Sequence, residues 1–260
     1  MKSITLLILI AAVTGSNAEA SGNTDKGQQV DQVSDHRILV FSKTEGYRHK
    51  SIGPGKEVLI RLGKEHNVAV DTTENASEFN ESNLENYSAV VFLSPSGKVF
   101  NERQQKALKN YIQNGGGFAG IHGANTVESE WEWFSRLVGA LFDGHPVDPG
   151  VRSATLNVVD RNHPATSHLP RQWDWEDEWY NFYNFYDWVN IVMTVDTDTY
   201  EGSKHPLYHP IAWYHEFDGG RSFYTAIGHA SEAFSDTNFL RHIWGGIEYA
   251  MGRKASAGAD

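Results

Sequence analysis

Three stretches of the 260-residue chain combine side chains that could bind a polyol and move its protons. Thr44-Glu45-Gly46-Tyr47-Arg48-His49 offers an aromatic ring, a guanidinium and an imidazole in succession, which can stack on, orient and exchange protons with a sugar. Gly120-Ile121-His122-Gly123-Ala124 ends an apolar run in a histidine among small residues. An unperturbed imidazole titrates near pH ~6.5, so small local effects poise it for general acid or base work. Trp175-Glu176-Asp177-Glu178-Trp179-Tyr180 interleaves carboxylates with rings, which a solvated acidic run would not do. Glu178 is the principal candidate there, with Asp177 and Tyr180 expected to line the cleft. Among rings its carboxyl would be raised by desolvation; beside a histidine it would stay ionised and hold the imidazole's tautomer. Each stretch also has a purely structural reading. Arg48 could serve only a surface ion pair, His122 a backbone hydrogen bond in a tight turn, and the tryptophan-rich segment plain packing.

Twelve histidines raise the question of a metal, but none shows the His-Glu-x-x-His spacing of a zinc helix. The nearest pairs, His205 with His209 and His163 with His168, lie beside prolines that break helices. A divalent metal site assembled from distant loops, for example His49, His122 and Glu178, stays open. Cysteine is absent altogether, which removes disulfides, thiol ligands and any thiol nucleophile.

The elements that must position these residues alternate. Arg37 to Phe41, Val68 to Val70, Ala89 to Leu93 and Phe118 to His122 read as short buried strands. Between them, Pro54 to His66 and Asn101 to Gln113 carry apolar residues at helical spacing, the second stopped by Asn114-Gly115-Gly116-Gly117. Strand–helix alternation predicts an α/β doubly wound, mostly parallel sheet, whose ligands bind at the carboxyl ends of the strands. His49 and His122 both follow such strands, so they should share that edge. Beyond Val151 the spacing becomes irregular: Ala154 to Val159 and Ile191 to Val195 read as strands, and Ile211 to Tyr214 with Arg221 to Ala226 as a late pair around Gly219-Gly220. Asn238 to Met251 reads as a closing helix. Neither a repeat nor an internal linker divides residues 36–254, which are expected to form one domain, with residues 255–260 as a tail.

Seven motifs in order, Gly46-Tyr47-Arg48-His49 with Ser51-Ile52, Gly115 through His122, Leu137-Val138-Gly139-Ala140 leading to His145-Pro146, His163-Pro164-Ala165-Thr166, Asp177-Glu178-Trp179-Tyr180, His209 through Trp213 and Gly228-His229, resemble the ThuA-like trehalose-utilisation family. The resemblance runs from about Arg37 to Arg253. It implies a flavodoxin-like sheet with additional late strands, the fold of class I glutamine amidotransferases, and a link to catabolism of trehalose, related disaccharides and 3-keto glycosides. Where the amidotransferase relatives carry a cysteine nucleophile, this chain has His122, so thioester-based glutamine hydrolysis is excluded. His145 and His229 join the candidates through their motifs, although either could cap a turn. Asn125 completes the substrate-binding set with Tyr47, Arg48, Asp177 and Tyr180; His49, His122 and Glu178 are the expected catalytic residues.

Composition narrows the partners. A net charge of −11 repels nucleic acid and anionic lipid, whereas 12% aromatic residues with many carboxylates suit a neutral sugar. Lys2, an apolar run from Ile4 to Val13 and Ala18-Glu19-Ala20 have the three-part layout of a secretory signal peptide, which predicts residues 1–20 removed, residues 21–35 as a polar lead-in and a periplasmic or secreted protein. The apolar run is about half the roughly 20 residues that a membrane anchor needs. Three functions remain: a sugar-processing enzyme using histidine and glutamate acid–base chemistry, a non-catalytic sugar-binding or sensory module, and a metal-dependent hydrolase. Oligomeric state is left open.

Overall fold

Among the described residues nine strands form one sheet in which a parallel half passes into an antiparallel half. The computed structural model describes residues 36–253 except Asn184, so the expected signal peptide, lead-in and tail lie outside the described residues. In chain order the elements are β1 (Arg37–Phe41), α1 (Ile52–Glu65), β2 (Ala69–Thr73), α2 (Glu81–Leu84), β3 (Ala89–Leu93), α3 (Glu102–Gln113), β4 (Gly117–Ile121), α4 (Glu132–Val138) and β5 (Leu141–Phe142). There follow β6 (Val151–Val158), β7 (Gln172–Glu178), β8 (Phe182–Tyr183), β9 (Asn190–Val195), β10 (His209–Phe217), β11 (Gly220–Thr225) and α5 (Thr237–Met251). The described residues fall within a single compact unit, Ser34–Asp260.

The sheet order is β2-β1-β3-β4-β11-β10-β9-β6-β7, parallel from β2 through β11 and antiparallel beyond it. β1, β3 and β4 are almost wholly buried, which is why they read as unbroken apolar runs. Asn101 caps α3 rather than opening it: its side chain accepts from the Gln104 amide while Gln104 reaches back to the Asn101 amide. α5 lies close across β11 because it carries Gly245 and Gly246 where a Cβ would collide with Pro164 and Phe223. Phe41, Phe79, Phe92 and Phe100 pack ring against ring around β1 and β3.

Two features were not foreseen in the sequence. The tryptophan-rich segment is a regular strand, β7, with Trp173 and Trp175 on one face against each other and Phe239. A second, two-stranded sheet of β5 and β8 was not foreseen. Among the described residues no helix is long and apolar enough to cross a membrane.

The sheet must also curl. β7 lies five strand spacings from β4, which in a flat sheet would be about 24 Å at ~4.8 Å per spacing. Yet Glu178, at the end of β7, lies 3.4 Å from His122, immediately after β4. Strand twist accumulated across the antiparallel half carries the end of β7 back over the carboxyl ends of the parallel strands.

Candidate functional site

Four side chains from four separate segments meet there: His49 from the loop after β1, His122 after β4, Glu178 at the end of β7 and His229 after β11. Their nitrogen and oxygen ligand atoms all lie within 4.8 Å of one another. His122 Nε2 is 3.2 Å from His229 Nδ1 and 3.4 Å from Glu178 Oε2, and His229 Nδ1 is 3.2 Å from that same oxygen.

His122 is wholly buried and sits at φ 49°, a left-handed conformation that costs a non-glycine residue energy and turns the chain sharply off β4. Its Nδ1 lies 2.6 Å from the carbonyl of Ala226, and the Tyr224 hydroxyl donates to its own carbonyl at 2.8 Å. A carbonyl oxygen only accepts, so Nδ1 carries a hydrogen, and Nε2 is the ring atom turned to the cluster. Tyr180 packs over this imidazole with ring centroids 4.4 Å apart. Burial and the adjoining Glu178 charge push the Tyr180 hydroxyl far up, so it stays protonated.

Glu178 divides its two oxygens. Oε2 faces His122 and His229, while Oε1 lies 3.2 Å from His145 Nδ1, whose hydrogen is directed to the Pro146 carbonyl at 2.8 Å. Burial alone would raise the Glu178 carboxyl; the hydrogen bonds of His122 and His229 outweigh it and hold the group well below the usual carboxylate range. Of the two situations open in the sequence, the ionised carboxylate beside histidine is the one found. His229 is raised by its hydrogen bond to Glu178. Burial, with the nearby His122 and His229, holds His49 down at about 3.

His49 is buried with no partner for Nδ1, and its ring stands edge-on to His122 at 4.6 Å and His229 at 5.2 Å. Gly123 makes room for it, since a Cβ there would lie 3.3 Å from His49 Cε1 and from backbone atoms of Ser94 and Pro95. Asn125 is also buried, with neither amide atom partnered. The cluster opens to solvent on the side of His145 and His229, whose side chains are 27% and 22% exposed against 10% for Glu178. A separate cavity of about 610 Å³, lined by Tyr87, Tyr111 and Arg221, lies at the amino ends of β3, β4 and β11 and contains none of these residues.

Two expected binding residues do other work. Arg48 makes two 2.9 Å hydrogen bonds to Glu74, which Lys56 also contacts, so its fork is already occupied at the surface. Asp177 does not line the cleft: it is wholly buried and accepts from the backbone amides of Gly228, His229 and Glu178 and from the Trp175 indole. Its neighbour Glu178 takes the cleft because successive strand residues point to opposite sides. Tyr47 is exposed and edge-on to His49. The Ala226 carbonyl and Tyr224 hydroxyl, which orient His122, were not foreseen; a backbone carbonyl leaves no mark in a sequence.

The sequence profile of the ThuA family, described as trehalose utilisation, matches residues 37–250. A search of curated proteins finds no match. Among solved structures, a ThuA-like protein of Parabacteroides merdae is 21% identical, with a TM-score of 0.70 over 86% of this chain and 92% of that one. A ThuA-like protein of Bacteroides uniformis is 19% identical, with a TM-score of 0.69 over 83% and 91%. The carbohydrate deacetylase Agd3 is 17% identical with a TM-score of 0.56, over 84% of this chain but 32% of its own. These likenesses are of fold, in keeping with a glutamine amidotransferase-like sheet bearing extra antiparallel strands. With the profile running from the first strand into the last helix, the chain belongs to the ThuA trehalose-utilisation family.

Proposed function

We propose that the protein is an exported carbohydrate-processing enzyme that acts on a disaccharide or its 3-keto derivative by acid–base chemistry at the histidine–glutamate cluster. The observation that carries this reading is the mutual approach of His122 Nε2, His229 Nδ1 and Glu178 Oε2 within 3.2–3.4 Å at the carboxyl edge of the parallel strands. That edge is where open α/β sheets place their ligands, and four segments distant in sequence have no packing reason to bring imidazoles and a carboxylate together. Proton transfer next to a keto group needs groups that give and take protons within hydrogen-bond reach of one carbon–oxygen unit, which this cluster and the adjoining His145 provide. The family's description as trehalose utilisation supports a carbohydrate substrate. The exposed Tyr47 supplies a ring beside the imidazoles, while the buried Tyr180 backs His122 from within.

The test is turnover by the purified protein of trehalose, other disaccharides and their 3-keto forms, followed by NMR of the products. Glu178→Gln and His229→Ala are the informative variants, because both side chains retain some exposure and their loss should spare the fold. Abolished turnover with intact folding is expected. Sugar binding without turnover by the unaltered protein would refute the enzymatic reading and leave a binding module.

A further inference from the structure

We propose that His49, His122, Glu178 and His229 form a binding site for one first-row transition-metal dication, such as zinc or manganese. The separations point to it first. Ligand atoms ~2.0–2.1 Å from a tetrahedral ion lie about 3.3 Å from one another. His122 Nε2, His229 Nδ1 and Glu178 Oε2 are separated by 3.2, 3.4 and 3.2 Å, one triangular face of such a shell. His49 lies within 4.8 Å and completes the four donors.

The surroundings are those of ligands held for an ion. His122 donates its Nδ1–H to the Ala226 carbonyl, which fixes the ring with Nε2 aimed at the other three groups. His145 Nδ1 lies 3.2 Å from Glu178 Oε1, the oxygen turned away from the cluster, and Asp177 anchors the His229 backbone. His49 Nδ1 is buried without a partner, a rare condition for a ring nitrogen unless something absent from the protein chain satisfies it. A dication among these atoms would take the place of the protons through which they now hydrogen-bond. Three imidazoles with one carboxylate suit zinc, manganese or iron, whereas calcium and magnesium prefer an all-oxygen shell.

An ion there would polarise a sugar carbonyl or hydroxyl oxygen entering from the exposed side. Glu178 and His229 would then hold the ion, and proton transfer would fall to His145, whose Nδ1 is engaged while Nε2 stays available to a substrate. That catalytic use rests on the carbohydrate reading above; binding of the ion does not.

The experiment uses the full chain, purified without chelator or polyhistidine tag. Its metal content is measured by mass spectrometry, and the chelator-stripped protein is titrated calorimetrically with zinc, manganese, magnesium and calcium. One equivalent of zinc or manganese, a raised melting temperature on binding and at least ~100-fold weaker binding of magnesium and calcium are expected. His229→Ala and Glu178→Gln, checked by circular dichroism, should lose at least ~100-fold in affinity, while His66→Gln, remote from the cluster and stacked on Trp244, should lose none. Cobalt should give visible bands of a low-symmetry site that vanish in His229→Ala. Failure to bind zinc or manganese, or binding unaltered in both cluster variants, overturns the proposal. Sugar turnover that persists after complete stripping overturns the ion's catalytic use and leaves the enzymatic reading intact, the site itself being decided by the titrations. Stoichiometric metal without turnover supports the site and counts against that reading.

Discussion

Replacing Asp177 by asparagine separates the scaffold of the site from its chemistry. The wholly buried carboxylate accepts four N–H groups: Gly228 at 2.7 Å and the Trp175 indole at 2.9 Å on Oδ2, His229 at 3.0 Å and Glu178 at 2.9 Å on Oδ1. Asparagine keeps one oxygen and turns its amide hydrogens toward the other two donors. Two hydrogen bonds to a charged group, at about 1.5–3 kcal/mol each, are lost, while removing a buried charge without a cationic partner returns part of that. A net cost of about 3 kcal/mol follows, against a total of about 5–15 kcal/mol for a domain, so the variant should fold but weakly. Whichever oxygen is retained, the Gly228-His229 turn loses an anchor or gains a repulsion. Displacing a reacting group by about 1 Å can cost about 100-fold in rate. Urea unfolding gives the stability term, and zinc titration with sugar turnover at a temperature where the variant is folded gives the site term. A stability change below about 1 kcal/mol, or unaltered zinc affinity and turnover in folded protein, would refute the assignment of Asp177 as the anchor of His229.

Three further outcomes are expected. Burial holds the wholly buried His242 at about 3, so the folded state stays unprotonated there while the unfolded chain, near 6.5, gains a proton; stability is present above about pH 6.5 and is lost as pH falls toward 3, about 2 kcal/mol of it by pH 5. His242→Gln should cost stability at pH 7, where contacts to the Ala165 carbonyl and Thr225 hydroxyl go, yet lose about 2 kcal/mol less than the parent between pH 7 and 5 in urea unfolding. Arg48→Ala, which removes an exposed pair with Glu74, should change stability by no more than about 1 kcal/mol and leave turnover unaltered; a large kinetic loss would return Arg48 to the site. His145→Ala should weaken zinc binding by about 10–100-fold by removing the imidazole beside Glu178 Oε1, as read by calorimetry, with little change in melting temperature.

What could be read from the sequence followed how local each signal is. β1, β3 and β4 announce themselves as apolar runs because both faces of the sheet are covered, and knowing where they end placed His49 and His122 on one edge before any coordinates. β7 carried its period of two in Trp173, Asp174, Trp175 and Glu176, but two consecutive buried acids at its end break the alternation and obscure the strand. Those acids are buried for different reasons, Asp177 beneath the Gly228-His229 amides and Glu178 among imidazoles, and nothing local distinguishes adjacent carboxylates whose partners lie about fifty residues away. Arg48 illustrates the converse: its neighbours in sequence, Tyr47 and His49, suggested a ligand contact, whereas its partner Glu74 follows a different strand. The decisive contact, Glu178 with His122, depends on the curl of the whole sheet, a sum of small twists over five strand spacings. Each twist comes from backbone geometry common to all sequences, so no single residue encodes the meeting. What the residues do encode is its tolerance: the left-handed turn at His122, the Asp177 anchor and the space above Gly123 fix the final ångströms once the curl has brought the segments within reach.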